Sequence, residues 1–235
     1  APSGTIVSRA ADDEEGKGWS LVLTNGHLGA NLIQRWLDDG VRLESEESIP
    51  LNRWSHVALT YDGSRLASGV HLYLDGRPLP VKVHLDYMNQ PFDVKQPLRI
   101  GGGLGSAHRF QGRIAGVRVY RTTLTADDAA VAALPQTVSQ LAQVPESRRT
   151  AAQSAKLRLC FLERYAPDGM KAVWKELLDL RESRQRLIDS FPTVMVMHDS
   201  EPRRETHVLI RGAYDRPGEK VEPQGPVVKV DFRVD

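Results

Sequence analysis

Two clusters of acidic side chains could hold a metal ion. The first spans residues 12–15 and begins with Asp12 and Asp13, and the second consists of Asp38 and Asp39. Ca²⁺ takes carboxylate and carbonyl oxygens that loops supply, so both clusters are candidate calcium ligands. A solvated acidic loop is the alternative, and the pattern leaves it open. The seven histidines show no HxxxH or HxH spacing, and we expect no other cofactor in this chain.

The sequence offers no arrangement typical of a catalytic site. Glycoside cleavage needs two carboxyl groups set roughly 5–10 Å apart. Glu44, Glu46 and Glu47 come closest, but they precede Pro50 in a predicted loop, and their spacing does not aim a pair into one cleft. The glycine-rich run 101–105 lacks both GxGxxG and GxxxxGK, so it predicts a turn instead of a phosphate site. We therefore expect no enzymatic activity.

Length and charge exclude several classes of protein. The chain has 235 residues, with 31 basic and 30 acidic side chains and a net charge of +1. This balance gives no electrostatic reason to expect a nucleic-acid partner, and no apolar run approaches the ~18 residues of a membrane-inserted helix. The single cysteine cannot form an internal disulfide. Because the chain begins at Ala1 without methionine, we expect a fragment or a processed product.

The first half of the chain alternates apolar and polar residues with a period of two. The alternating runs are 5–8, 20–23, 56–61, 69–74 and 113–120, separated by turn dipeptides such as Asn25-Gly26, Asp62-Gly63 and Asp75-Gly76. Many short strands joined by such turns predict an antiparallel sandwich or barrel. A further alternating run at 226–234 could add a strand that covers an exposed sheet edge.

Beyond Thr125 the pattern changes to a helical period. Thr125 can cap a short helix whose first turn is acidic. Apolar residues then recur every three or four positions over 146–165 and 170–188. Two amphipathic helices joined by a short turn most simply pack as an antiparallel hairpin. We expect three parts, a β-sandwich at 1–134, a helical hairpin at 135–191 and a short β-rich tail at 192–235.

Four sequence motifs follow one another in the first 130 residues. They are 52–63 (NRWSHVALTYDG), 70–79 (VHLYLDGRPL), 98–101 (LRIG) with 110–121 (FQGRIAGVRVYR), and 124–128 (LTADD). Together they resemble laminin G-like domains of the concanavalin A-like lectin superfamily. The resemblance covers residues 1–134 and implies a mainly β fold, an antiparallel two-sheet jelly-roll sandwich.

Two segments near the C-terminus carry a second pattern. They are 192–197 (PTVMVM) and 204–221 (RETHVLIRGAYDRPGEKV). Together they resemble a junction in large planctomycete-type c-type cytochrome proteins, which carry planctomycete-specific domains of unknown function, so the tail would begin such a domain. The chain lacks the CxxCH motif that covalent haem needs. The resemblance implies an extracytoplasmic location, in the periplasm or cell envelope.

Aromatic side chains in less regular stretches are the candidate ligand contacts. The laminin G-like resemblance implies glycan binding through loop aromatics, which selects Trp36, Tyr87 and Phe92, with core or interdomain packing as the alternative. Trp54, on a predicted strand, is expected to pack in the core. We expect a non-catalytic recognition or scaffolding module whose partner is a complex glycan or another region of its parent protein. The alternatives are a spacer without a ligand in a cytochrome-like redox protein and, less favoured, a glycan hydrolase.

The acidic clusters give a prediction that calorimetry can test. If Asp12, Asp13, Asp38 and Asp39 bind Ca²⁺, titration with calcium chloride produces a saturable heat and raises the melting temperature, because a ligand of the folded state alone stabilises that state. Magnesium chloride is the control, since Mg²⁺ demands a stricter octahedral geometry. The absence of heat together with an unchanged melting temperature would exclude the site.

Overall fold

A computed structural model describes residues 3–13, 15–90, 94–191 and 205–222. The chain divides into two compact units, Ala1–Asp189 and Ser190–Asp235. The strands of the first unit are β1 (Gly4–Ala10), β2 (Gly18–Thr24), β3 (His27–Arg35), β4 (Asp39–Ser48), β5 (Val57–Tyr61), β6 (Val70–Leu74), β7 (Arg77–Pro78), β8 (Val81–Tyr87) and β9 (Arg99–Ile100). The helices that follow are α1 (Ala126–Ala132), α2 (Val138–Ala142), α3 (Ala151–Cys160) and α4 (Asp168–Ser190).

The strands form two antiparallel sheets. The larger has six strands in the order β8-β4-β3-β2-β1-β9, and the smaller has three in the order β5-β6-β7. Their pairings are antiparallel throughout. The mainly β, antiparallel class predicted from the sequence is therefore confirmed.

The core lies between the two sheets. Leu28 and Leu32 of β3 and Leu43 of β4 face Val70 and Leu72 of β6 in one cluster, each at most 2% exposed. Full burial of such a side chain contributes about 1.5–3 kcal/mol. Because neighbouring residues on a strand point to opposite faces, this cluster also decides which residues lie on the other side of the larger sheet.

The turns that join the strands follow the dipeptide pattern of the sequence. Asn25 and Gly26 between β2 and β3 have φ of 51° and 86°. Asp75 and Gly76 between β6 and β7 have φ of 51° and 83°. Two successive positive φ values are those of a type I′ turn, the form that asparagine or aspartate followed by glycine favours.

The structure corrects the prediction of a loop around Glu44, Glu46 and Glu47. All three residues lie on β4, which pairs with β3 and β8. The expectation was wrong because the alternation of Val41, Arg42 and Leu43 was not assigned to a strand, and the acidic run continues that strand. The neighbouring β3 is buried over 28–33 without a break, so it lacks the period-two signal that identified other strands.

The predicted strand at 113–120 is a second correction. None of these residues belongs to a strand, and Val119 and Tyr120 are 62% and 48% exposed. The hydroxyl of Thr123 donates to the carbonyl of Tyr61 at 2.9 Å, which fixes the segment beyond the end of β5. Alternation alone cannot make a strand, because strand geometry needs a neighbouring chain with which to exchange backbone hydrogen bonds.

The first three helices begin at threonines. Thr125, Thr137 and Thr150 each accept a hydrogen bond from the backbone three residues later and form capping boxes. Such a cap satisfies backbone N–H groups that the helix leaves free. The ammonium group of Lys156 on α3 donates to the carbonyls of Leu134 and Gln136 at 3.1 and 2.7 Å, which ties α3 to the turn after α1.

The two predicted long helices are present, but α4 does not pack along α3. Val173 and Leu180 of α4 are 66% and 62% exposed, where an antiparallel hairpin would bury them. A π-helical turn at Phe161–Tyr165 and the buried Ala166 separate the two helices. In the described ranges, none of the helices has the length and apolar character that crossing a bilayer requires.

The second unit contains one described hairpin. Its strands are β10 (Thr206–Leu209) and β11 (Pro217–Val221), which pair antiparallel. The ammonium group of Lys220 lies 2.9 Å from the carboxylate of Glu205 beside this hairpin. The predicted strand at 226–234 lies outside the described residues.

The turn between β6 and β7 gives a prediction about stability. A Cβ added at Gly76 would lie 2.8 Å from the Cα of Ala130 in α1, and the positive φ adds strain. Gly63 has a similar φ of 85° with nothing within 4 Å of the added Cβ, so it is a matched control. We expect Gly63→Ala to lower the free energy of unfolding by about 1–2 kcal/mol and Gly76→Ala to lower it further. Urea denaturation measures both, and equal losses would contradict the packing of α1 on this turn.

Candidate ligand-binding site

The larger sheet has a second face, directed away from β6, which we call the polar face. Ser20 of β2 pairs with Asn31 of β3, and Asn31 pairs with Arg42 of β4. These residues alternate with the core residues of the same strands, so they lie opposite the core. The amide of Asn31 donates to the hydroxyl of Ser20 at 3.2 Å. A polar row thus crosses three central strands.

The glycine-rich run 101–105 covers one side of the polar face. The hydroxyl of Ser8 donates to the carbonyl of Gly102 at 2.8 Å, and that of Thr5 donates to Gly103 at 3.2 Å. Both side chains are completely buried. The predicted glycine-rich turn is therefore a loop fixed over β1, and the uncovered part of the face lies toward β4 and β8.

Asp12 holds this glycine-rich loop from its other end. One carboxylate oxygen accepts the backbone N–H of Gly105 at 3.0 Å, and the other lies 3.1 Å from the guanidinium of Arg109. These contacts, first the Gly105 N–H and then the Arg109 side chain, lower the pKa of Asp12 from its ordinary value. Both carboxylate oxygens of Asp12 therefore have partners in or just after the glycine-rich loop.

An arginine and a tryptophan stack at the β4 side of the polar face. The guanidinium carbon of Arg42 lies 4.6 Å from the ring centroid of Trp36, within the range of a cation–π contact. Both residues are half-buried. The Nε atom of Arg42 is buried and has no hydrogen-bond partner among the described residues.

A histidine and a glutamate form a pair on β4 and β8. His84 Nε2 lies 3.2 Å from the carboxylate of Glu44. Beyond Glu44 the register of β4 shifts, so the strand does not carry a regular row of carboxylates. Glu47 is held by two N–H groups of Arg77, whose hydrogen bonds lower the pKa of that carboxyl. The arrangement can donate and accept hydrogen bonds, and both carboxylates are paired with a basic side chain.

The structure brings two of the three predicted aromatic residues to one end of the larger sheet. Ile33 pairs with Gly40, and Gly40 pairs with Tyr87, so the β3–β4 turn and the end of β8 lie at the same end. Trp36 belongs to that turn. Tyr87 ends β8 and is 52% exposed, which corrects its expected place in a less regular stretch. Phe92 lies outside the described residues.

The four predicted calcium ligands do not converge. Asp13 accepts the backbone N–H of Gly16 at 2.8 Å, and Asp38 lies 3.2 Å from Arg35. Asp39 is 1% exposed, and one of its oxygens accepts the backbone N–H of Asn89 at 2.8 Å. The described residues contain no group of three or more acidic, histidine or cysteine side chains placed to hold a metal. Calcium binding stays a prediction.

The positions of two residues were not predicted correctly from the sequence. Arg42 alternates with Val41 and Leu43, a period-two signal that was present but was not assigned to a strand. Trp54 was expected in the core, whereas it is 66% exposed just before β5. The strand begins at Val57, so the alternation that should have buried Trp54 does not extend to it.

The contacts of Asp12 give a prediction about pH. Because the pKa of Asp12 is lower in the folded state, its stabilisation is present above the ordinary value of 3.8 and is lost as the pH falls through the folded value. We expect Asp12→Asn to lower the melting temperature at neutral pH, with a difference from the wild type that shrinks as the pH falls below 3.8. Glu15→Gln, on the same connection, is the control. A difference that stays constant with pH would contradict the assigned contacts.

Comparison with known proteins agrees with the two-sheet fold. The model of the concanavalin A-like lectin/glucanases superfamily matches residues 1–130. No curated protein and no solved structure was found to match the chain. The resemblance of residues 192–221 to planctomycete-type cytochromes has no support from these comparisons. Since the match covers more than half of the 235 residues and the described strands form two packed antiparallel sheets, the chain belongs to the concanavalin A-like lectin/glucanases superfamily.

Proposed function

We propose that this chain is a non-catalytic module that binds a glycan at the uncovered part of its polar face. The observation that carries the proposal is the position of Trp36 and Tyr87 at one end of the larger sheet, near Arg42. Membership in a superfamily of lectins and glucanases supports this choice of ligand.

The chemistry of the polar face suits a sugar. A sugar ring presents C–H groups on its faces and hydroxyl groups around its edge. The exposed ring of Tyr87 offers an apolar surface with a hydroxyl at its tip. Arg42 and, further along the same two strands, the Glu44–His84 pair supply donors and acceptors on this face. A few polar groups around an aromatic surface are the usual composition of a small-molecule site, in which the polar groups fix the orientation.

A scaffolding role is the second candidate, and helix α4 favours it. Met170, Val173, Leu177 and Leu180 recur at intervals of three and four residues and are between 39% and 66% exposed. An apolar stripe of this kind typically packs against another protein surface. Another region of the parent protein would be its partner. We further propose an extracytoplasmic location, for which the support is the resemblance of residues 192–221.

A hydrolase is the least supported candidate. Glu44 lies on the polar face, but its carboxylate is paired with His84. The carboxylate of Glu47 is paired with Arg77. Cleavage with a general acid and a second carboxylate would require both groups to face one sugar bond.

The glycan proposal is tested by affinity electrophoresis with a panel of soluble polysaccharides, namely dextran, xylan, mannan and polygalacturonate. We expect at least one to retard the chain, and Tyr87→Ala to weaken that binding about five- to tenfold through loss of the ring contact. Tyr165→Ala, which removes a 72% exposed ring after α3, is the matched control and should leave binding unchanged. A panel without retardation, or equal loss in both variants, would contradict the proposed site.

A further inference from the structure

Arg42 carries a positive charge for which the described residues provide no acidic partner. Its contact in the structure is the stack on the ring of Trp36 at 4.6 Å. A guanidinium group has five N–H donors and is always charged. The buried Nε has no hydrogen-bond partner among the described residues.

The acidic side chains nearest to Arg42 in the sequence contact groups other than Arg42. Glu44, two residues along β4, lies 3.2 Å from His84. Asp38 lies 3.2 Å from Arg35. Asp39, at the start of β4, is buried on the opposite side of the strand from Arg42. One of its oxygens accepts the N–H of Asn89, and the other has no hydrogen-bond partner among the described residues. Within the described part of the chain, no acidic side chain is paired with Arg42.

The guanidinium carbon of Arg42 lies over the Trp36 ring, 4.6 Å from its centroid. The N–H groups of a guanidinium form a planar fork that can bind both oxygens of a carboxylate or sulfate. Lysine could not replace it, because an ammonium group is a point charge without this fork. The arrangement suits one anionic group of a ligand that also contacts the neighbouring aromatic surface.

We propose that the ligand bound at this face is an acidic glycan, with the carboxylate or sulfate of one sugar unit on Arg42. This inference rests on the proposed function and specifies its substrate class. A net charge of +1 argues against a broad basic surface for a highly charged polymer such as nucleic acid. A single arginine over an aromatic ring, with other polar groups along the same strands, instead matches a ligand that combines an anionic group with hydroxyls.

The first experiment uses the wild-type chain alone. Polygalacturonate carries carboxylates, dextran sulfate carries sulfates and dextran is neutral, so affinity electrophoresis in the three separates the two sources of the anion. We expect at least tenfold tighter binding to one acidic polymer than to dextran. Galacturonate and galactose differ by the carboxylate. If the ligand is a uronate, galacturonate should compete with the acidic polymer for the site more effectively than galactose does. Moderate salt weakens a contact with a charged ligand, and it should narrow the difference between acidic and neutral polymers.

The second experiment assigns the anion to Arg42. We expect Arg42→Gln to lose about tenfold in affinity for the acidic polymer and to bind dextran as the wild type does. Arg42→Lys should recover part of the loss, since it keeps the charge without the fork. Arg35→Gln is the matched control, because Arg35 lies at the same end of the sheet in an exposed pair with Asp38. Melting temperatures of all variants separate loss of binding from loss of folding.

Each result supports or overturns the inference. Binding of neutral and acidic polymers with equal affinity, unchanged in Arg42→Gln, would overturn the acidic specificity and leave glycan binding in place. Equal losses in Arg42→Gln and Arg35→Gln would show a general charge effect and would also overturn it. A chain that binds no polysaccharide would overturn both proposals. If Arg42→Gln fails to fold, the wild-type comparison of acidic and neutral polymers still decides the substrate class.

Discussion

The packing of β3 and β4 against β6 is the interaction on which the rest of the first unit depends. Leu28, Leu32 and Leu43 are removed from water only when the two sheets meet. Because strand residues alternate, burial of this set directs Asn31 and Arg42 to the opposite face. A shift of one residue in register would exchange the two sets and place a charged arginine in an apolar core. The core therefore determines which residues form the polar face, and it also stabilises the fold.

The candidate site combines a rigid sheet with contacts that fix its surroundings. The sheet sets the positions of Arg42 and Tyr87 through ordinary backbone pairing, so neither depends on a flexible connection. On the far side, Ser8 and Asp12 hold the glycine-rich loop by hydrogen bonds. A site on paired strands loses less conformational freedom when a ligand binds than one on mobile loops, and this pre-organisation favours recognition.

The sequence predicted the class of the fold better than it predicted individual strands, the packing of the helices and the candidate site. The segments that form β1 and β5 showed alternation in the sequence, and the dipeptide Asp75-Gly76 indicated its turn. β3 did not, because it is buried on both faces. The segment at 113–120 alternates as a strand does but has no partner in a described sheet, and α4 is amphipathic but does not lie against α3.

By itself, the sequence determined the elements whose signals are local. Period-two alternation, positive-φ turn residues and threonine caps act over a few residues, so they can be read without knowing the fold. The tertiary structure alone decided that Trp36 and Tyr87 lie at one end of the sheet and that Arg42 lies over the Trp36 ring with no acidic partner in the described part of the chain. Those relations join positions 36, 42 and 87, which are brought together by the register of β3, β4 and β8 and by no signal that any of those segments carries separately.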